Sequence, residues 1–127
     1  MARILVVEDD EDIRNVVDRQ LRKGGHKVAT ADSVRAARQL IEEKGMPEVL
    51  VLDVGLPGET GLEFLRSLRD DPTTTHLPVV VLSARVQPSD VQAGRDLGAV
   101  YLTKPFVASA LLGAIERARN EDDAGTW

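Results

Sequence analysis

The stretch ILVVEDD, residues 4–10, runs four apolar residues straight into three carboxylates, and VLVLD, residues 49–53, makes the same change. Val49–Asp53 is apolar on both pleat faces until its last residue, the pattern of a strand buried between two helical layers. Segments of helical period lie between such runs. After the strand Arg3–Val7, Ile13, Val16, Val17 and Leu21 recur at i, i+3, i+4 and i+8 as one helix face, which Gly24-Gly25 ends. Residues 26–30 read as a shorter, more polar strand suited to a sheet edge. Val34, Ala37, Leu40 and Ile41 mark a second helix, and Leu62, Leu65 and Leu68 a third. Val79–Ser83 is then a fourth strand, residues 90–97 a weaker fourth helix and Val100–Thr103 a brief fifth strand. Leu111, Leu112, Ile115 and Ala118 mark a last helix, so one domain is expected over residues 1–119, followed by a frayed polar tail, NEDDAGTW, over 120–127.

Five strands alternating with five helices predict an α/β fold, a doubly wound parallel sheet covered on both faces. Ligands of such sheets bind beyond the carboxyl ends of the strands, where the strand order reverses. In the order 2-1-3-4-5, borrowed from known sheets of this type, the first and third strands are neighbours at that point. Glu8, Asp9 and Asp10 follow the first strand and Asp53 ends the third, so the chemistry is expected there.

Composition narrows the possibilities. At 127 residues and 43% hydrophobic, the chain suits one globular domain. It has no Cys, which excludes a thiol nucleophile and a Cys-ligated metal site. The apolar run after Arg3 is too short for a signal peptide, and no run approaches the roughly 18 apolar residues of a membrane span. A cytoplasmic protein is therefore expected. A formal net charge of -5 with no Lys/Arg cluster argues against direct nucleic-acid binding by this chain.

Carboxylates brought together raise one another's pKa unless a cation neutralises them. Mg²⁺ (or Mn²⁺) suits the site, because it takes one or two carboxylates and keeps room for waters and a phosphoryl oxygen; no EF-hand spacing invites Ca²⁺. Ser83 closes the fourth strand with a hydroxyl, and Lys104 follows the fifth with an ammonium. Metal, hydroxyl and ammonium together can neutralise a phosphoryl group in transfer. Taken singly, each residue has a plainer role: Asp9 and Glu8 as first-turn acids of a helix, Asp53 as a cap, Ser83 as a turn hydroxyl, Lys104 as a surface charge and Tyr101 as packing. Their shared location at strand ends favours the functional reading.

With VVEDD, LDVGLPG, VVLSAR and YLTKPF in that order, residues 2–118 resemble the response-regulator receiver domains of two-component signalling. The resemblance implies a flavodoxin-like three-layer sandwich. It makes Asp53 the phosphoacceptor and places Mg²⁺ among Asp9, Asp53, the backbone carbonyl of Gly55 and waters, with Glu8 accepting from metal-bound water. Ser83 and Lys104 then bind the phosphoryl group, Tyr101 is a switch residue, and Lys104-Pro105 is a cis peptide. The partners implied are a histidine kinase or histidine phosphotransfer protein and a downstream protein or attached output domain. The signalling face is the fourth helix, fifth strand and last helix. A receiver that starts at residue 1 suits either a stand-alone regulator or the head of a longer one. The chain departs from the family at Gly98-Ala99-Val100-Tyr101, one residue shorter than usual and without its acids, and at Ser83, where many members have Thr.

A haloacid-dehalogenase-type aspartyl-phosphate phosphatase is the competing reading, but its second Asp, two positions after the nucleophile, is here Gly55. A flavodoxin-like cofactor binder lacks its Ser/Thr/Gly-rich phosphate loop after the first strand.

Overall fold

The computed structural model describes residues 1–124 apart from 57, 59, 85–91 and 94, and for 121–124 the backbone alone. Its elements run β1 (Arg3–Val7), α1 (Glu11–Lys23), β2 (Lys27–Ala31), α2 (Val34–Lys44), β3 (Val49–Asp53), α3 (Gly61–Asp70), β4 (Val79–Ser83), β5 (Val100–Thr103) and α4 (Ala108–Ala124). The sheet is parallel, as the alternation of strands and helices predicts, and its order β2-β1-β3-β4-β5 is the one borrowed above from known sheets.

Strand pleat divides the core in two. Leu5, Val7, Leu50, Leu52, Val79 and Val81 face one way and pack with Val34 and Ala37 of α2 and Phe64, Leu65 and Leu68 of α3. Ile4, Val6, Val49, Val51, Val80 and Leu82 face the other, against Val17 and Leu21 of α1 and Leu111, Ala114 and Ile115 of α4. Two-sided burial explains why β3 and β4 are apolar at almost every position. β2, paired on one side only, is the polar edge anticipated above.

Short polar side chains start the helices. Asp10, Ser33 and Thr60 each accept from the backbone N–H three residues on, satisfying a donor that has no helical partner. Asp10 and the first-turn acids Glu11 and Asp12 thus belong to the α1 terminus and its dipole.

Three sequence expectations shift. β2 begins at Lys27 rather than His26, because the His26 N–H donates to Leu21 O and completes the turn after α1, whereas the Lys27 N–H donates to Ala2 O in the sheet. The helix expected over 90–97 has helical backbone at 92, 93, 95 and 96, while 90, 91 and 94 lie outside the described residues. The last helix runs over Ala108–Ala124, past residue 119. No Gly or Pro lies between Gly113 and Gly125, and extending an existing helix costs far less than starting one. Residues 125–127 lie outside the described residues. Among the described residues, no helix is long and apolar enough to cross a membrane.

Candidate functional site

Sheet register assembles the site. Val7 pairs with Leu52, so one step further along both strands Glu8 and Asp53 stand side by side. Asp53 pairs with Leu82, which puts Ser83 at the next position on the far side, and Ser83 pairs with Thr103, just before Lys104. Backbone bonds continue past the strand ends: Glu8 N–H to Ala31 O at 3.0 Å, Val54 N–H to Leu82 O at 3.1 Å and Lys104 N–H to Ser83 O at 2.8 Å. The Lys104-Pro105 peptide is cis, as the resemblance implied.

The side chains converge. Lys104 Nζ lies 2.7 Å from Glu8 Oε1 and 3.4 Å from Asp53 Oδ1, and Asp53 Oδ1 also accepts the Gly55 N–H at 3.2 Å. Glu8 is wholly buried, Asp53 and Ser83 are buried, and Asp9 is exposed at the rim. Tyr101 is half-buried on edge strand β5 and packs, like Leu97, against the core layer of α2 and α3.

Two adjacent carboxyls with one ammonium cannot both hold full charge cheaply. Burial pushes the Glu8 carboxyl up from 4.5 to about 8, neighbouring Asp53 pushes the same way, and Lys104 opposes them. For Asp53, burial alone would raise the pKa, but the Glu8 carboxyl, the Gly55 N–H and Lys104 outweigh it and hold the carboxyl below 3.8. Lys104 is also desolvated, yet its bond to Glu8 and the nearby Asp53 charge keep it above 10.5. Burial and the neighbouring charge thus make Glu8 the weaker acid of the pair and Asp53 the stronger.

The same cluster fits a hard divalent cation. Glu8 Oε2 is a buried oxygen with no hydrogen-bond partner among the described residues. Carboxylate oxygens of Glu8, Asp9 and Asp53 all lie within 4.8 Å of one another. An all-oxygen donor set of this kind matches Mg²⁺, which takes few protein carboxylates and retains waters.

Sequence reading missed two contributors. Arg14 Nη1 donates to the carbonyl oxygens of Glu8 at 3.0 Å and Asp9 at 3.4 Å. The available signal was directional, because helix side chains lean toward the N-terminus and Arg14 sits at the start of α1. Gly61, the first residue of α3, lies so close to β3 that a Cβ there would collide with the Asp53 carbonyl oxygen. A glycine inside a helix costs about 1 kcal/mol against alanine, which hinted at a close approach.

An open, doubly wound parallel sheet with carboxylates, an ammonium and a hydroxyl at its switch point is a flavodoxin-like domain. The chain belongs to the response regulator receiver domains, whose family model matches residues 4–116. It is 42% identical over 128 residues to the response regulator MprA of Mycobacterium avium, a match covering 96% of this chain and 54% of that protein. It is 38% identical over 128 residues to the KDP operon transcriptional regulatory protein KdpE of Escherichia coli, covering 99% of this chain and 55% of that protein. The chain thus spans about half the length of the curated relatives it matches. Among solved structures it resembles the chemotaxis protein CheY4 of Vibrio cholerae, with TM-score 0.84, 32% identity and coverage of 93% and 98% of the two chains. A response regulator receiver domain protein from Clostridium thermocellum gives TM-score 0.86 at 28% identity, covering 98% of each chain. These matches support the two-component receiver and give no support to the dehalogenase-type phosphatase.

Proposed function

We propose that the chain takes a phosphoryl group from a histidine kinase or histidine phosphotransfer protein onto Asp53, in the cytoplasm and in a Mg²⁺- or Mn²⁺-dependent reaction. The observation that carries this reading is the charge division at the switch point: an anionic Asp53 beside a Lys104 ammonium that reaches it and Glu8 together.

An Asp53 oxygen forms the bond to phosphorus as the phosphorus–nitrogen bond to the donor imidazole breaks, and the imidazole leaves with the electron pair and takes up a proton. Most of the acceleration available to such a transfer comes from positioning and electrostatics. The Gly55 N–H and Lys104 fix the Asp53 carboxylate, and Lys104 follows the negative charge onto the phosphoryl oxygens. Ser83, buried at the end of the neighbouring strand, offers its hydroxyl to the same oxygens. Glu8, Asp9, Asp53 and the Gly55 carbonyl would hold the divalent ion, which supplies charge neutralisation for the transferring group.

A phosphoryl group adds about -1.5 to -2 charge, which biases an existing two-state equilibrium through Ser83 and Lys104. The surface that reports it is the segment 90–97 with β5 and α4, with Tyr101 as its movable part and a downstream protein or attached output domain as its reader. The chain switches rather than turning over a substrate.

Acetyl phosphate with Mg²⁺ should add one acid-labile phosphoryl group, seen by intact mass, and Asp53→Asn should abolish it. Modification that persists in that variant, or proceeds fully in EDTA, would overturn the assignment.

A further inference from the structure

Two carbonyls fall between the ladders. β1 ends at Val7, and the first α1 bond runs from the Arg14 N–H to Asp10 O, leaving the oxygens of Glu8 and Asp9 without a backbone donor among the described residues. The Arg14 guanidinium, half-buried on α1, takes both, at 3.0 and 3.4 Å. Asp9 most needs this support. Its side chain is exposed and makes no hydrogen bond or ion pair among the described residues, so the position of its backbone is what anchors it. Glu8, by contrast, is also held through its side chain by Lys104.

We propose that Arg14 is a positioning residue for the metal site, acting through the Glu8 and Asp9 carbonyls to hold the two acidic side chains where a divalent ion needs them. This rests on the Mg²⁺ reading given above. The charge of Arg14 acts the other way, because a guanidinium close to the cluster repels a divalent cation. Positioning and charge therefore predict opposite signs when Arg14 is removed.

The test is Mg²⁺ affinity by NMR titration, read from the amide signals of Asp53 and Gly55, in wild type, Arg14→Met and Arg14→Lys, with thermal unfolding in EDTA alongside. Arg14→Met should weaken Mg²⁺ binding about tenfold, the lower end for groups that orient a metal's ligands. Arg14→Lys, with the charge kept but no fork to span two carbonyls, should fall between. A merely structural Arg14 would lower the unfolding temperature and leave the affinity unchanged; affinity that is equal or tighter in Arg14→Met overturns the proposal. If Arg14→Met does not fold, Arg14→Lys decides: weaker binding supports positioning, and wild-type affinity refutes it. A wild type that binds no Mg²⁺ removes the metal reading itself and this inference with it.

Discussion

The ammonium of Lys104 stands 2.7 Å from Oε1 of Glu8, a residue 96 positions away in sequence and closer to it than Asp53. Both contacts exist because an ammonium has three donors to share. Lys104→Met should slow phosphorylation by acetyl phosphate by about 10²–10³, the usual loss when one donor to a developing negative charge is removed. A rate within a factor of about three of wild type would show that Lys104 does not serve the transfer.

Glu8 makes the metal-free domain sensitive to pH. Its folded pKa of about 8 lies above its ordinary 4.5, so between those values the folded state binds more protons than the unfolded chain. The stability this contributes is full below 4.5 and is lost as pH rises toward 8. Urea unfolding in EDTA at several pH values should show that decline in wild type relative to Glu8→Gln, which keeps a neutral side chain throughout. Parallel curves for the two proteins would refute the raised pKa of Glu8.

Gly61 brings α3 directly onto β3. A Cβ there would collide with the Asp53 carbonyl oxygen and stand 2.9 Å from its carbonyl carbon and 3.0 Å from Val54 Cα, all backbone atoms that cannot swing aside. Gly61→Ala should therefore destabilise by about 1–3 kcal/mol and also slow phosphorylation, because the displaced backbone carries Asp53. On α4, a Cβ at Gly113 meets nothing within 4 Å, so Gly113→Ala should stabilise by about 0.5–1 kcal/mol. Unfolding midpoints that move the same way in both variants would contradict the packing described.

Arg69 fastens three segments at the end of α3. Its guanidinium donates to Leu97 O at 2.6 Å, Leu77 O at 2.8 Å, Thr75 O at 3.0 Å and Thr74 O at 3.5 Å. Arg69→Met should cost at least about 2 kcal/mol, since hydrogen bonds to a charged group contribute about 1.5–3 kcal/mol each. The amides of Leu77 and Gly98 should exchange faster with solvent, and unchanged protection there would argue against the anchor.

Beryllofluoride with Mg²⁺ should shift the backbone NMR signals of Ser83, Leu97 and Tyr101 as well as those beside Asp53. Tyr101 lies three residues before Lys104 at the sheet edge, so a response there requires a change carried beyond Asp53. Shifts restricted to residues around Glu8, Asp9 and Asp53 would remove Tyr101 from the switch.

Local periodicity made the architecture legible. Alternation of Ile4 and Val6 against Leu5 and Val7 specifies two buried faces, helix faces repeat every three to four residues, and the acids at positions 8, 9 and 53 mark strand ends. Those patterns depend on neighbours in sequence, so they survive without coordinates. Tertiary structure alone decided the nearness of Lys104 to Glu8, the burial that raises the Glu8 pKa, the seat of Gly61 on β3 and the reach of Arg14 to the Glu8 and Asp9 carbonyls. Each depends on distances and burial set by packing between segments remote in the chain or by the turn of a backbone between two elements. A one-dimensional pattern of apolar and polar residues carries neither quantity.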